Sequence, residues 1–258
     1  MAATTHGSGP LPDSADDRPV TIARAESARG SVVLRRRHDD HAGEVWELIT
    51  NGIFIMDSLE TTTERLLASA ALRAVATPTE PGRHPARDSL RVVAAGLGLG
   101  FTVRELLSHE QVGRVDVVEI EPAVVSWIRM GLIPPTDGIL ADPRVRTHVE
   151  DIRRWLPQRA DASIDIVALD IDNGPDILVH LDNEEVYESG FLATVKRTLR
   201  PGGVLATWSA TRSPALRNRL EQTFDYCEEI RRPVIREGRG FDYFLYVASA
   251  AHATDARS

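Results

Sequence analysis

Residues 90–106 read LRVVAAGLGLGFTVREL. An apolar run, Leu90 to Ala95, passes through Gly96, Gly98 and Gly100 into FTVRELLSH, which reads as a helix. Glycines at a strand-to-helix turn let the chain bend sharply and let a ligand lie close to the backbone. The spacing is G-x-G-x-G rather than the G-x-G-x-x-G of dinucleotide sites, and no Lys-Ser/Thr follows to make a P-loop. Read alone, the stretch is either a ligand loop or only a tight connection.

Outward from it, strands and helices alternate. RVDVVEI (114–120) is a strand, and PAVVSWIRMG (122–131) a helix with Pro122 near its first turn. RVRTHVE (144–150) is a strand, DIRRWL (151–156) a short helix and SIDIVALD (163–170) a strand. EEVYESGFLATVKRTL (184–199) is a helix, GVLATWS (203–209) a strand and SPALRNRLEQTF (213–224) a helix. CEEIRRPVIRE (227–237) and FDYFLYVAS (241–249) are two strands joined by Gly238-Arg239-Gly240. This order predicts an α/β fold over 90–250, a mostly parallel seven-stranded sheet with helices on both faces and an antiparallel last strand.

Ahead of that domain, residues 1–30 are rich in Ala, Ser, Asp, Gly and Pro and read as disordered; 251–258 read as a tail. Residues 31–76 form a small element, a β-hairpin and a helix. VVLRRRH and EVWELIT are strands, and Asn51-Gly52 turns the second into IFIMD. Thr61-Thr62-Thr63-Glu64 has the spacing of a capping box before ERLLASAALRAVA. The segment 77–89, with three prolines and a glycine, reads as the boundary loop.

The chain of 258 residues carries 38 acidic and 30 basic side chains, a formal charge of −8, and 42% hydrophobic residues. Such a balance supports a large core and disfavours nucleic-acid binding, which needs a basic face. One cysteine, Cys227, excludes an intramolecular disulfide and a Cys-based zinc cluster, and no metal site is expected. No apolar run approaches a membrane span and no secretory signal pattern opens the chain, so a cytoplasmic location is expected.

In an open α/β sheet the ligand crevice lies beyond the carboxyl ends of the strands. Four groups of acids fall there. Glu119, at the end of the second strand and about 20 residues past the glycines, suits a ribose, with Glu121 as its fallback. Asp151, beside Glu150, suits an adenine amino group or the cap of the helix it precedes. Asp170 ends the fourth strand, and Asp172 follows in a stretch, DNGP, rich in turn formers.

GLGLGFTVREL, VDVVEIEPAVVSWIR, DPRVRTHVEDIRRWL, IDIVALDIDNGPD and FLATVKRTLRPGGVLATWS together resemble the spermidine/spermine synthase (polyamine aminopropyltransferase) family. That family lies within the Rossmann-like methyltransferase fold that binds S-adenosylmethionine. The resemblance covers roughly residues 32–248. It implies that Gly96, Gly98 and Gly100 cradle the nucleoside, Glu119 or Glu121 holds its ribose, and Asp151 its adenine. It further implies that Asp170 orients or deprotonates an attacking amine, and that a homodimer forms. Three departures stand out. Leu99 occupies the position of the family's loop Asp, which holds the amino group of the nucleoside's side chain. Thr62-Thr63 replace its Tyr-His pair. The second acid of its D-x-x-D motif comes one residue early, at Asp172.

These readings lead to a transferase that alkylates a small amine with S-adenosylmethionine or its decarboxylated form, through an altered acceptor site. Asp170 is the base and Asp172 a second acceptor of hydrogen bonds. A small-molecule methyltransferase and a nucleoside-binding sensor without turnover are the alternatives. Trp208, at the end of the fifth strand, is a core residue or a wall of the acceptor pocket.

Overall fold

The computed structural model describes residues 18–76, 89–236 and 239–250. Asn51 and Gly52 take φ of 52° and 78°, the backbone of a type I′ hairpin turn. The turn belongs to an antiparallel sheet of β1 (Val20–Ser27), β2 (Gly30–Asp39), β3 (Gly43–Thr50) and β4 (Ile53–Asp57), in that spatial order. Asn51 does more than turn the chain. Its Oδ1 accepts from Ser31 N at 2.9 Å and its Nδ2 donates to the Arg29 carbonyl at 3.1 Å. The β3–β4 turn thereby holds the β1–β2 turn in place.

This sheet corrects two expectations. The element has four strands rather than a hairpin, and residues 20–30 are ordered rather than disordered. β1 pairs with β2 from Val20 to Ser27, and only Ile22, Ala23 and Ala25 pack against the core. A strand held by its ladder and a shallow apolar face leaves little hydrophobic signal. Residues 1–17, most of the boundary loop and the tail 251–258 lie outside the described residues.

α1 (Thr62–Ala76) follows, then the main domain: β5 (Leu90–Ala95), α2 (Phe101–Leu107), β6 (Val112–Glu119), α3 (Pro122–Arg129), β7 (Val145–Val149) and α4 (Ile152–Trp155). Next come β8 (Ile164–Leu169), α5 (Ser189–Thr198), β9 (Leu199–Ser209), α6 (Pro214–Thr223), β10 (Tyr226–Arg236) and β11 (Arg239–Ser249). The seven strands lie in the order β10-β11-β9-β8-β5-β6-β7. β9, β8, β5, β6 and β7 are parallel, and β11 runs antiparallel to both neighbours, as the sequence implies. The helix expected over 184–199 is split: 181–187 form a 3₁₀ turn, and α5 starts afresh after Glu188, whose φ/ψ is extended.

Side-chain alternation places the helices. Val92 and Ala94 of β5 join the cluster that holds α1, α2 and α3 residues; Val93 and Ala95 join the one that holds α4, α5 and α6 residues. A strand covered on both faces reads as a continuous apolar run, as Leu90–Ala95 and Ile164–Leu169 do. The chain moves from β5 out to β6 and β7, then returns to β8 on the other side of β5. The rim between β5 and β8 is therefore the topological switch point. No described helix is long and apolar enough to cross a membrane.

α1 is the helix that ties the small sheet to the main domain, and Leu67 is its fully buried anchor. Leu67→Ala is expected to cost about 2–5 kcal/mol of stability, read from urea unfolding.

Candidate functional site

At the switch point the Gly-rich loop passes against the end of β8. Gly96, Gly98 and Gly100 all have positive φ, at 88°, 51° and 91°. At Gly96 the reason is close approach: a Cβ there would lie 2.0 Å from the Asp170 carbonyl oxygen. The neighbouring backbones are locked by Gly96 N–H to the Val118 carbonyl (3.0 Å) and Asp170 N–H to the Ala95 carbonyl (2.8 Å). Gly100 is the left-handed residue that opens α2.

A cavity of about 320 Å³ opens at this rim, within the usual range for small-molecule sites. Gly96, Gly98, Glu119, Glu121, Asp151, Asp170 and Asp172 all line it, and so do Glu150 and Trp208; Gly100 does not. One cavity thus brings together seven of the eight candidate residues.

Glu119, 7% exposed, accepts from Leu97 N at 2.8 Å through Oε2 and from Glu121 N at 2.7 Å through Oε1. Burial pushes its carboxyl up, and these backbone donors oppose the shift. Glu121 lies beside Arg29, with Nε to Oε1 at 3.3 Å. Asp151 caps α4 by accepting from Arg153 N (2.9 Å) and pairs with the Arg153 guanidinium (2.6 Å). Its carboxyl is lowered by that guanidinium and the N–H of the cap, against the opposing effect of burial.

Asp170 is half-buried and accepts from Thr102 Oγ1 at 2.8 Å. Burial holds its carboxyl above the ordinary range, and the Thr102 hydroxyl moderates the shift. Asp172 is engaged differently. At φ 61° it accepts from Val179 N (2.7 Å), His180 N (3.3 Å) and Asn183 Nδ2 (2.9 Å), which fastens the loop of residues 173–183 beside the cavity. Its carboxylate works as the organiser of that loop as well as lining the cavity.

Arg29 and Glu64 are among the lining residues that no sequence pattern marks as part of a site. Arg29 lies in the turn between β1 and β2, within a segment whose composition alone reads as disordered. The Thr61–Glu64 spacing predicts a capping box that engages Glu64. In the structure the Glu60 carboxylate accepts from Thr62 N (2.9 Å), and Glu64 lines the cavity near Asp170, 8% exposed. Burial first, and then the neighbouring Asp170 charge, push the Glu64 carboxyl up to about 8. A Glu at the first turn of an amphipathic helix gives no sign of which way it faces. Leu99, at the position where the resemblance expects an acid, is wholly buried and is not among the residues that line the cavity.

The family model described as "Spermine/spermidine synthase domain" matches residues 83–230. A polyamine aminopropyltransferase of Prochlorococcus marinus (strain MIT 9313) is 33% identical over 132 residues, 49% of this chain and 44% of that protein. One of Aeropyrum pernix is 29% identical over 159 residues, 56% of this chain and 48% of that protein. The chain spans about half the length of these curated relatives. The crystal structure of spermidine synthase from Thermotoga maritima superposes with a TM-score of 0.67 over 89% of this chain and 72% of that one. At 17% identity this likeness concerns the fold.

The Glu64 carboxyl has a consequence for stability. Its folded value, about 8, exceeds its ordinary 4.5, so its proton favours the folded state. That stabilisation is whole below about 4.5 and is lost as pH rises through about 8. Glu64→Gln has no proton to lose. Its stability relative to wild type is expected to rise between pH 5 and 8, by on the order of 4 kcal/mol, in paired urea titrations.

Proposed function

The chain belongs to the spermine/spermidine synthase family, and from that premise we propose that it transfers an alkyl group from a sulfonium nucleoside to a small amine. The donor is decarboxylated S-adenosylmethionine and the group an aminopropyl chain. The observation that carries the reading is Asp170: a desolvated carboxylate, steadied by Thr102, at the switch-point rim within the same cavity as Glu119 and the Gly-rich loop.

When bound, the donor supplies a carbon next to a positively charged sulfur that leaves as a neutral thioether. Glu119 accepts from the ribose hydroxyls with lone pairs left over from its two backbone donors. Glu121 supports the ribose edge, and Asp151 takes the adenine amino group while capping α4. Gly96 and Gly98 let the nucleoside lie against the loop, and Gly100 starts α2 at the angle that directs Thr102 to Asp170. Asp170 orients the acceptor amine. The nitrogen lone pair forms the new C–N bond, the C–S pair returns to sulfur, and the proton released from nitrogen passes to Asp170. Alignment of nucleophile and carbon supplies most of the acceleration. Asp172 acts as a positioning residue that holds the acceptor-side loop.

A second reading, methyl transfer from S-adenosylmethionine to an amine, draws support from Leu99, which puts no acid in the loop for an aminopropyl ammonium. Mass-spectrometric assay of an amine panel with each donor separates the two by the mass added. Absence of product from every pair sinks both. The same family reading takes the protein to be a cytoplasmic homodimer with the small sheet at the contact, which sedimentation tests.

Asp170→Asn is expected to lower turnover about 10²–10⁴-fold while the affinity for methylthioadenosine stays within a factor of about two. Only ionised Asp170 can accept the proton. With its carboxyl raised above 3.8, kcat/KM is expected to fall as pH falls through that raised value. A pH–rate profile whose acid limb stays at the ordinary carboxylate range would contradict the assignment.

A further inference from the structure

The acids of the cavity differ in what balances them. Glu119 has backbone N–H groups, those of Leu97 and Glu121 among them, Asp151 has Arg153, Glu121 has Arg29, and Asp172 has four donors. Glu64 and Asp170 make no ion pair with any described Lys, Arg or His. Each has one hydroxyl instead: Thr63 Oγ1 on Glu64 at 3.0 Å and Thr102 Oγ1 on Asp170 at 2.8 Å. Glu64 is more than nine-tenths buried and still opens on the cavity. Nearby, Trp208 Nε1 is buried without a hydrogen-bond partner among the described residues, so this wall carries further unused polarity.

The charged groups that act on Glu64 are Asp170, beyond β8, and Glu60, ahead of α1, and both oppose its ionisation. α2 acts through the Thr102 hydroxyl on Asp170, and β4, β9 and β11 contribute Met56, Trp208 and Tyr243 to the cavity wall. The basic lining residues, Arg29 and His180, accompany Glu121 and Asp172.

We propose that Glu64 receives a substrate ammonium in this cavity, opposite Asp170, and gives up a proton as the ammonium arrives. The inference rests on the amine-alkylation reading above. A cation beside two facing carboxylates balances one of them and removes the repulsion that keeps the second from ionising. Leu99 explains the need for an acid from elsewhere. Its backbone is tied to Met56 Sδ and Thr136 Oγ1 and its side chain is buried, so the loop offers no charge. α1 supplies one from the other side. Phe54, Met56, Trp208 and Tyr243 give the methylenes and the cation of an alkylammonium apolar and aromatic surface.

Calorimetry at pH 7 in buffers of different ionisation enthalpy counts the protons released on binding. Methylthioadenosine has no ammonium and sets the baseline, including any proton moved at Glu119. Decarboxylated S-adenosylmethionine, and putrescine added to the methylthioadenosine complex, distinguish an ammonium on the donor from one on the acceptor. At least one is expected to release about 0.9 proton above baseline, the fraction that a group with a pKa of about 8 holds at pH 7. Glu64→Gln is expected to abolish that release and weaken the same ligand about ten-fold, with methylthioadenosine affinity kept within about two-fold, whereas Glu64→Asp retains part of the release. No release above baseline from either ligand in the wild-type protein, or equal release from the Gln variant, overturns the proposal and leaves the amine-alkylation reading standing. Failure of the wild-type protein to bind methylthioadenosine overturns that reading and this proposal with it.

Discussion

The Glu119 carboxylate holds the rim together. One oxygen takes the N–H of Leu97 in the loop after β5, and the other takes the N–H of Glu121 in the loop after β6. Two adjacent parallel strands thus end on one side chain. The loops that follow them diverge into α2 and α3, and without this clasp their first residues would present unsatisfied N–H groups to a cavity. A buried acid is costly, and here the cost is offset by donors that the fold has to satisfy anyway. The same group is then held by two donors, desolvated and placed at the crevice.

Electrostatically the cavity has two ends. At one, Glu119, Glu121, Asp151 and Asp172 are balanced by N–H groups, Arg29, Arg153 and the Asn183 amide. That end is preorganised for a ligand recognised by hydrogen bonds. At the other, Glu64 and Asp170 line the cavity close enough for the charge of one to act on the other, with a threonine hydroxyl on each. The acids that lack a counter-cation among the described residues are therefore concentrated at that end. The net charge of −8 says nothing of this; the distribution does.

The main domain was legible because its signals are local and repeated. β5 and β8 are short apolar runs bounded by glycines or acids, and each acid at a strand end falls on one rim by the geometry of parallel sheets. What lay beyond the sequence had weak local signal or depended on facing. β1 buries only part of three small or branched side chains, so its composition resembles that of an unstructured segment. Glu64 has the same neighbours in sequence whether it caps α1 or faces a cavity; only the packing of α1 against β8 and β9 decides. Asp172 lines the cavity, but its ties to Val179, His180 and Asn183 run through a loop whose path no periodicity describes.

The clamp by Asn51 on the Arg29 turn shifts where the functional unit begins. Composition changes character near residue 31, yet the cavity wall already includes Arg29, delivered there by the β1–β2 ladder. A boundary drawn where the polar segment gives way to apolar alternation would sever a wall residue together with the strand that carries it. Glu121 would then face the cavity without its counter-charge, and the Asn51 amide would lose its carbonyl partner. The polar composition of the first strand thus conceals a part of the cavity wall, which residues of both sheets build together.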